Sequence, residues 1–424
     1  MASLNMSGTR RDFALLFLVM LTIAAGNTAL QSVLPAIGRL LALPDAVIAL
    51  TFSFSALVWA LAAPGWARRS DRQGRKRMVL TGLIGFVISL LLCALALTAG
   101  ISGWAAALPA FAGFIAARMI YGFLGAAAPP AAQALVASRT SRAERTNALT
   151  LLASAFGLGT ILGPALAPFF MLPVVGLAGP AYIFALMGAV VLVATWRLLP
   201  DDGPDMRVHG AATAEPSIGG EPSGASVIAA LNEQTSERLR WTDPRLLPWM
   251  ISGLVAGHAQ AMAGQAIGFL VMDRLELPPI AAQPVIGVVL MAGAAAALLA
   301  QWGIIPRLRL GPRAMVIWGA LIAAAGCAMI ASASDIHGLA VAFALASLGF
   351  GFLRPGFTAG ASLAVGTREQ GLVAGRVTSI NGAVFVLGPS IGIGLYQIAP
   401  PIPYLLAAGA LLLNAAYAAR RLQR

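Results

Sequence analysis

Charge is what this sequence has least of: Asp, Glu, Lys and Arg make up 10% of its 424 residues, against roughly 25% in an ordinary soluble domain. A soluble fold of that size needs a polar shell, and the chain cannot supply one. Lysine is nearly missing, Lys76 standing alone against 27 arginines; with abundant alanine, this bias points to a high-GC bacterial source. The two cysteines, Cys93 and Cys327, both fall inside apolar runs, so no disulfide framework is expected. They read as small packing residues, with a redox or metal role as the alternative. No Gly-x-x-x-x-Gly-Lys-Ser/Thr loop occurs, which argues against direct use of ATP. The sequence shows no metal cluster, activated nucleophile pair or sizeable soluble domain, so neither an enzyme nor a receptor is expected, and no metal or cofactor. Arg10 and Arg11 lead into an apolar run too long for a signal sequence and without a small-residue cleavage site, so that run reads as a retained first membrane helix.

What the chain has is apolar surface, 59% of its residues being hydrophobic. A bilayer core of ~30 Å takes about 20 apolar residues as a helix. Six such runs fill the first half, at about 13–34, 46–66, 78–99, 104–137, 147–170 and 181–199. Six more follow, at about 246–271, 280–305, 314–332, 338–365, 372–398 and 403–419. The fourth run is over-long and carries Pro129-Pro130, which predicts a kink. The charges test this layout independently. With the N-terminus inside, inner segments hold 24 of the 28 Lys and Arg residues, outer loops hold Arg39 and Arg274, and Arg118 and Arg354 fall within runs. The net charge of +12 is therefore a topology signal rather than a nucleic-acid surface. It favours an even number of spans with both termini cytoplasmic.

Residues 200–244 are a different material, rich in Gly, Pro and Ser and holding eight of the sixteen acids. They read as a cytoplasmic linker, in which Ile228, Leu231 and Leu239 can form one face of a short surface helix. The expected organisation is a six-helix bundle over 1–199, a linker over 200–244 and a second six-helix bundle over 245–424. An internal repeat supports it. Glu144, Ser154, Gly157 and Gly163-Pro164 recur 225 positions later as Glu369, Ser379, Gly382 and Gly388-Pro389. Gly74, Met78-Val79 and Gly82 recur 237 positions later as Gly311, Met315-Val316 and Gly319. Two halves running in the same direction imply a pseudo-twofold axis along the membrane normal, with a site between them near the midplane.

The loop after the second run reads Ser70-Asp71-Arg72-Gln73-Gly74-Arg75-Lys76-Arg77. A lone acid among cations beside a turn glycine can cap a helix start or pair with Arg75, latching one side of the protein; the alternative is that the cluster only fixes topology. This D-R-x-G-R-K pattern resembles the signature loop of the major facilitator superfamily, matched by Asp71, Arg72, Gly74, Arg75 and Lys76, and the resemblance covers all twelve runs. In the second-half copy Leu308 stands opposite Asp71. Arg118, Gly122 and Gly125 resemble the family's Arg-x-x-x-Gly motif, which implies a part for Arg118 in charge or proton transfer. Gly157, Gly159, Gly163 and Pro164 resemble the fifth-span motif associated with antiporters, and the whole looks most like the twelve-span drug/proton antiporter branch, tetracycline-type exporters included. Small residues there let helices approach closely and the proline bends the span, so Gly159, Gly163 and Pro164 join Asp71, Arg72, Gly74 and Arg75 as gate candidates.

Assigning the sixteen acids to loops leaves none for the membrane interior. The first run offers Asn27 and Gln31 instead, one turn apart on one face. Arg118 and Arg354 each cost roughly 2.5–3.5 kcal/mol at mid-bilayer and should face the bundle interior or water. Arg118 either lines the path or bonds to backbone carbonyls; Arg354 either contacts solute or bonds to the carbonyl that Pro355 frees near Gly351. Two fixed cations without fixed anions favour a solute bearing a carboxylate or phosphate. His258, Met262 and Gln265 share one face, and His258 reads as a proton carrier, solute contact or packing residue. Asn381 completes the expected lining of Asn27, Gln31, Arg118, His258, Gln265, Arg354 and Asn381, with Arg118 and His258 as proton-coupling candidates. The leading expectation is an alternating-access, proton-coupled exporter of a small organic molecule or drug, the solute being anionic in one version. It would act as a monomer in a bacterial inner membrane. The alternative is an importer or exchanger of organic anions.

Overall fold

The computed structural model describes residues 7–140, 145–202, 240–365 and 370–422. The expected linker, with Ile228, Leu231 and Leu239, lies almost wholly outside them. Among the described residues eleven helices are long and apolar enough to cross a bilayer. The helix Arg145–Leu166, continued by a 3-10 turn over Ala167–Phe170, is a shorter twelfth. In chain order the spans are Ser7–Leu40, Asp45–Gln73, Arg75–Ile101, Ala107–Arg139, the fifth just given, and Gly179–Leu198. Leu247–Arg274, Pro279–Leu308, Ile336–Leu363, Gln370–Ile398 and Ile402–Arg421 are the seventh, eighth, tenth, eleventh and twelfth, with Pro312–Ser332 the ninth. The fold is all-α, and the chain is a multi-pass membrane protein. Twelve crossings put the start of the first span and the end of the last on one face, here called the termini side.

Helix pairing repeats between the two halves. Spans one and five, two and four, three and four, three and six, and one and six pack together; seven and eleven, eight and ten, nine and ten, nine and twelve, and seven and twelve repeat the same set. Between the halves, span two packs on eleven and span five on eight. The repeated glycines supply a physical reason for the symmetry. A Cβ on Gly82 would sit 2.7 Å from the Ala128 nitrogen in span four, and one on its counterpart Gly319 would sit 2.8 Å from the Gly349 carbonyl in span ten. With lipid tails as apolar as leucine, close backbone approach is what holds such helices together.

The over-long fourth span is broken, but not at its prolines. A 3-10 turn over Gly125–Ala127 joins Ala107–Leu124 to Ala128–Arg139. Pro129 and Pro130 then fall in the first turn of the second piece, where a missing N–H leaves no bond unmade. Asp335 caps the tenth span on the side opposite the termini, accepting from the Gly338 and His337 N–H groups at 2.9 Å. Those bonds, the one from Gly338 first, hold its carboxyl below the usual carboxylate range.

Candidate functional site

A cavity of about 200 Å³ lies between the halves, with smaller extensions at both ends. The seventh span lines it from Gly253, two turns in from the termini side, to Gln265. Four glutamines face it: Gln31, Gln260, Gln265 and Gln301. Phe343, Phe350 and Phe385 give it aromatic walls, and Arg354 is the charged residue among the lining residues. Gln301 is carried by a π-helical turn, Leu299–Ile304, within the eighth span, the kind of local widening that recurs at functional positions.

On the far side the halves are joined. The guanidinium of Arg39 donates to Asp45 from Nε at 2.9 Å and from Nη2 at 2.8 Å, and reaches across to Asp273 at 3.1 Å. Tyr396 donates to the same Asp273 oxygen at 2.6 Å, and Arg39 lies over the Phe269 ring. Deeper in the far-side half, Ser53 pairs with Ser390 at 2.7 Å and Gln283 donates to Ser32 at 3.3 Å. First-half and second-half residues thus meet at three places on the far side. None of Arg39, Asp273 and Tyr396 was expected at a site. The available signal was a single outer cation on the first span set against a single outer acid at the end of the seventh.

Of the seven expected lining residues, Gln31, Gln265, Arg354 and Asn381 line the cavity or its extensions. Three do not. Asn27 and Arg118 are both 1% exposed and belong to a cluster inside the first half. Arg118 donates from Nη1 to Asn27 Oδ1 at 3.0 Å, Asn27 donates to the Tyr121 hydroxyl at 2.8 Å, and Arg118 stacks over the Tyr121 ring. Residues one turn apart differ by about 40° around a helix, enough to put Gln31 in the cavity and Asn27 in the bundle. His258 is half-buried, its Nδ1 2.9 Å from the Leu254 carbonyl, and is absent from the cavity wall. Of the two cations expected along a path, the structure places Arg354 at the cavity wall and Arg118 inside the first-half bundle. Replacing Arg118 with Met is expected to lower the melting temperature of the purified protein by at least about 3 °C. The loss strands buried acceptors at ~1–3 kcal/mol. An unchanged melting curve would contradict that structural role.

The signature turn brings in a residue from just past the end of the sixth span. Gly74 has φ +93°, a conformation that favours glycine. The third-span N-terminus that follows is held by Asp202: its carboxylate accepts from the Arg75 N–H at 2.7 Å and the Lys76 N–H at 2.9 Å. Asp201 pairs with the Lys76 ammonium at 2.9 Å. Arg72 is exposed, and the side chain of Asp71 lies outside the described part of the structure. Asp202→Ala should destabilise the protein by ~1 kcal/mol, the usual cost of a lost cap, read as a lower thermal midpoint. In the fifth span Gly159 and Gly163 both face the first span. Thr28 donates to the Gly159 carbonyl at 3.2 Å, and Pro164 lines the central cavity.

Two six-helix sets that repeat one pairing scheme around a shared cavity leave few families open. Over residues 16–310 the chain matches the profile of the Major Facilitator Superfamily. The chain belongs to the major facilitator superfamily. Facilitator relatives include a multi-drug resistance efflux pump PmrA homolog of Lactococcus lactis subsp. lactis (strain IL1403), 30% identical over 150 residues, 34% of this chain and 32% of the relative. Multidrug resistance protein MdtG of Citrobacter koseri is 35% identical over 115 residues, 27% of this chain and 25% of that protein. The matched stretches span about a third and a quarter of these relatives' lengths. Among solved facilitator structures, the human organic anion transporter MFSD10 (TETRAN) superposes with a TM-score of 0.64 at 19% identity, covering 97% of this chain and 100% of that one. A bacterial homolog of the human lysosomal transporter Spinster, in an inward-facing and unoccupied conformation, gives 0.69 at 13% identity, covering 98% and 96%. At these identities both likenesses bear on the fold alone.

Proposed function

We propose that this facilitator is an alternating-access exporter of small organic molecules across a bacterial inner membrane, driven by protons, with both termini cytoplasmic. The carrying observation is the central cavity with its far side joined by three contacts between the halves, Arg39–Asp273, Ser53–Ser390 and Ser32–Gln283. Residues 1–199 and 245–424 would act as the two rocking bodies. The signature turn on the termini side, with Asp71, Arg72, Gly74 and Arg75, and the Gly159-Gly163-Pro164 stretch would serve as gates. Aromatic walls with amide and hydroxyl groups suit drug-sized amphipathic solutes, and the names of the efflux-pump relatives fit that reading. A proton moving down ~100 mV supplies about 2.3 kcal/mol. His258 is the proton-coupling candidate that this proposal retains. Arg118 would act on coupling only through the bundle it braces.

A second reading, import or exchange of organic anions, is favoured by Arg354 as the charged group of the lining, and the name of the human structural neighbour fits it. A solute screen in inverted vesicles with a pH-sensitive dye tests both. Export predicts solute uptake with proton release, reduced at least tenfold by pairing Gln260→Leu with Gln301→Leu. Counterflow of labelled organic acids without proton movement would replace the first reading by the second. Transport indifferent to the cavity variants would overturn both.

A further inference from the structure

We propose that the groove where the ninth span begins and the tenth ends, on the termini side, is a binding site for an anionic phospholipid. The groove encloses about 510 Å³, larger than the central cavity and within the ~300–1,000 Å³ of small-molecule sites. One wall is Gly311, Pro312 and Arg313, the other Leu363 and Ala364. The floor is the indole of Trp249, seated against Gly360, where a Cβ would collide with the ring.

Its depth is that of the bilayer interface. Trp318 and Leu363 both line the groove and are 58% and 73% exposed, so they face what surrounds the protein. Trp318 sits six residues into the ninth span, about 9 Å of helix, the level at which tryptophan collects between headgroups and acyl chains.

Its charge is positive: Arg313 lines it and no acid does among the described residues. Arg313 donates from Nη2 to the Ala419 carbonyl at 2.6 Å, while its Nε is buried with no acceptor among the described residues. A buried guanidinium N–H calls for an acceptor, and the planar fork suits a phosphate oxygen. Arg307 and Arg309 are exposed just before the groove, and Arg420 and Arg421 are exposed directly after Ala419. No acid occurs from 299 to 334. The comparison within the chain is informative. In the first-half turn, Asp202 satisfies the start of the third span. In the second-half copy Leu308 stands opposite Asp71, and Gly311, where the ninth span begins, has no side chain to cap it. A helix start flanked by Arg313 is suited to an anion from outside, and the helix dipole adds to the attraction. A net anionic headgroup complements this surplus, whereas a zwitterionic one brings a cation of its own. The acyl chains would lie along Ile317, Trp318 and Leu363.

The test uses the purified full chain in nanodiscs containing either brominated-chain phosphatidylglycerol or brominated-chain phosphatidylcholine at equal mole fraction. Tryptophan quenching by the phosphatidylglycerol should exceed that by the phosphatidylcholine at least twofold. The excess should vanish in Trp318→Phe and Arg313→Gln and be reduced but retained in Arg313→Lys, which keeps the charge without the fork. Because Arg313→Gln also drops the bond to Ala419, Gly311→Leu is the second variant. A Cβ there meets nothing within 4 Å, so the leucine fills the groove without disturbing Arg313, and it too should abolish the excess. Equal quenching by the two lipids overturns the proposal. So does a phosphatidylglycerol preference that survives Gly311→Leu. Loss of the preference to millimolar inorganic phosphate would make the groove a site for soluble anions instead, and also overturns it.

Discussion

Arg39→Ala is expected to open the far side, raising labelling of a Ser53→Cys reporter by a membrane-impermeant maleimide about five- to thirtyfold. One guanidinium holds Asp45 on its own half and Asp273 on the other, so its removal leaves two carboxylates facing each other without a cation. Truncating one partner of a buried pair costs ~3–5 kcal/mol, but the Arg39 side chain is 36% exposed, and solvent screening reduces that to ~1–2 kcal/mol. Such a shift changes a two-state population by the stated factor. The two native cysteines are buried, so background labelling is low. Asp273→Asn should have a smaller effect in the same direction, because Tyr396 and Arg39 can still bond to the amide. Unchanged accessibility in both variants would mean that the Arg39–Asp273 contact is not what closes the far side.

Gly163→Val should abolish transport and lower the melting temperature by several degrees, while Gly409→Ala leaves both unchanged. A Cβ at Gly163 would meet the Thr28 hydroxyl and lie 2.7 Å from the Ala29 nitrogen. Backbone cannot yield as a side chain can, and overpacking of this kind costs typically ~1–3 kcal/mol. At Gly409, on the twelfth span, a Cβ meets nothing within 4 Å. Ligand-dependent transport at full rate by Gly163→Val would show that the first and fifth spans need not approach so closely.

Span number, the repeat and the packing glycines were legible because each follows from a constraint that acts locally. A bilayer sets the length of apolar runs, and close crossings require small residues at fixed positions in both halves. The site was only half legible. Gln31, Gln265, Arg354 and Asn381 line the cavity as read, but Asn27 and Arg118 bond to each other, because a polar residue in a span can be satisfied by a neighbouring span as well as by a solute. Gln260 and Gln301 escaped notice as uncharged residues within apolar runs. Asp202 escaped because its role depends on the chain returning to the signature turn after four more crossings. The contacts closing the far side were hidden for the same reason: Arg39 and Asp273 are 234 positions apart, and only the docking of the halves brings them together.

The wide turn at Leu299–Ile304 holds one residue more than an α-helical turn would. That surplus is a reserve of slack within the eighth span. If the coil tightens by one residue, everything on one side of it swivels by about 100°, carrying the Gln301 amide off the cavity wall while the helix stays continuous. Under the proposed alternating-access cycle, such rewinding would let the eighth span present Gln301 to the cavity in one state and withdraw it in the other.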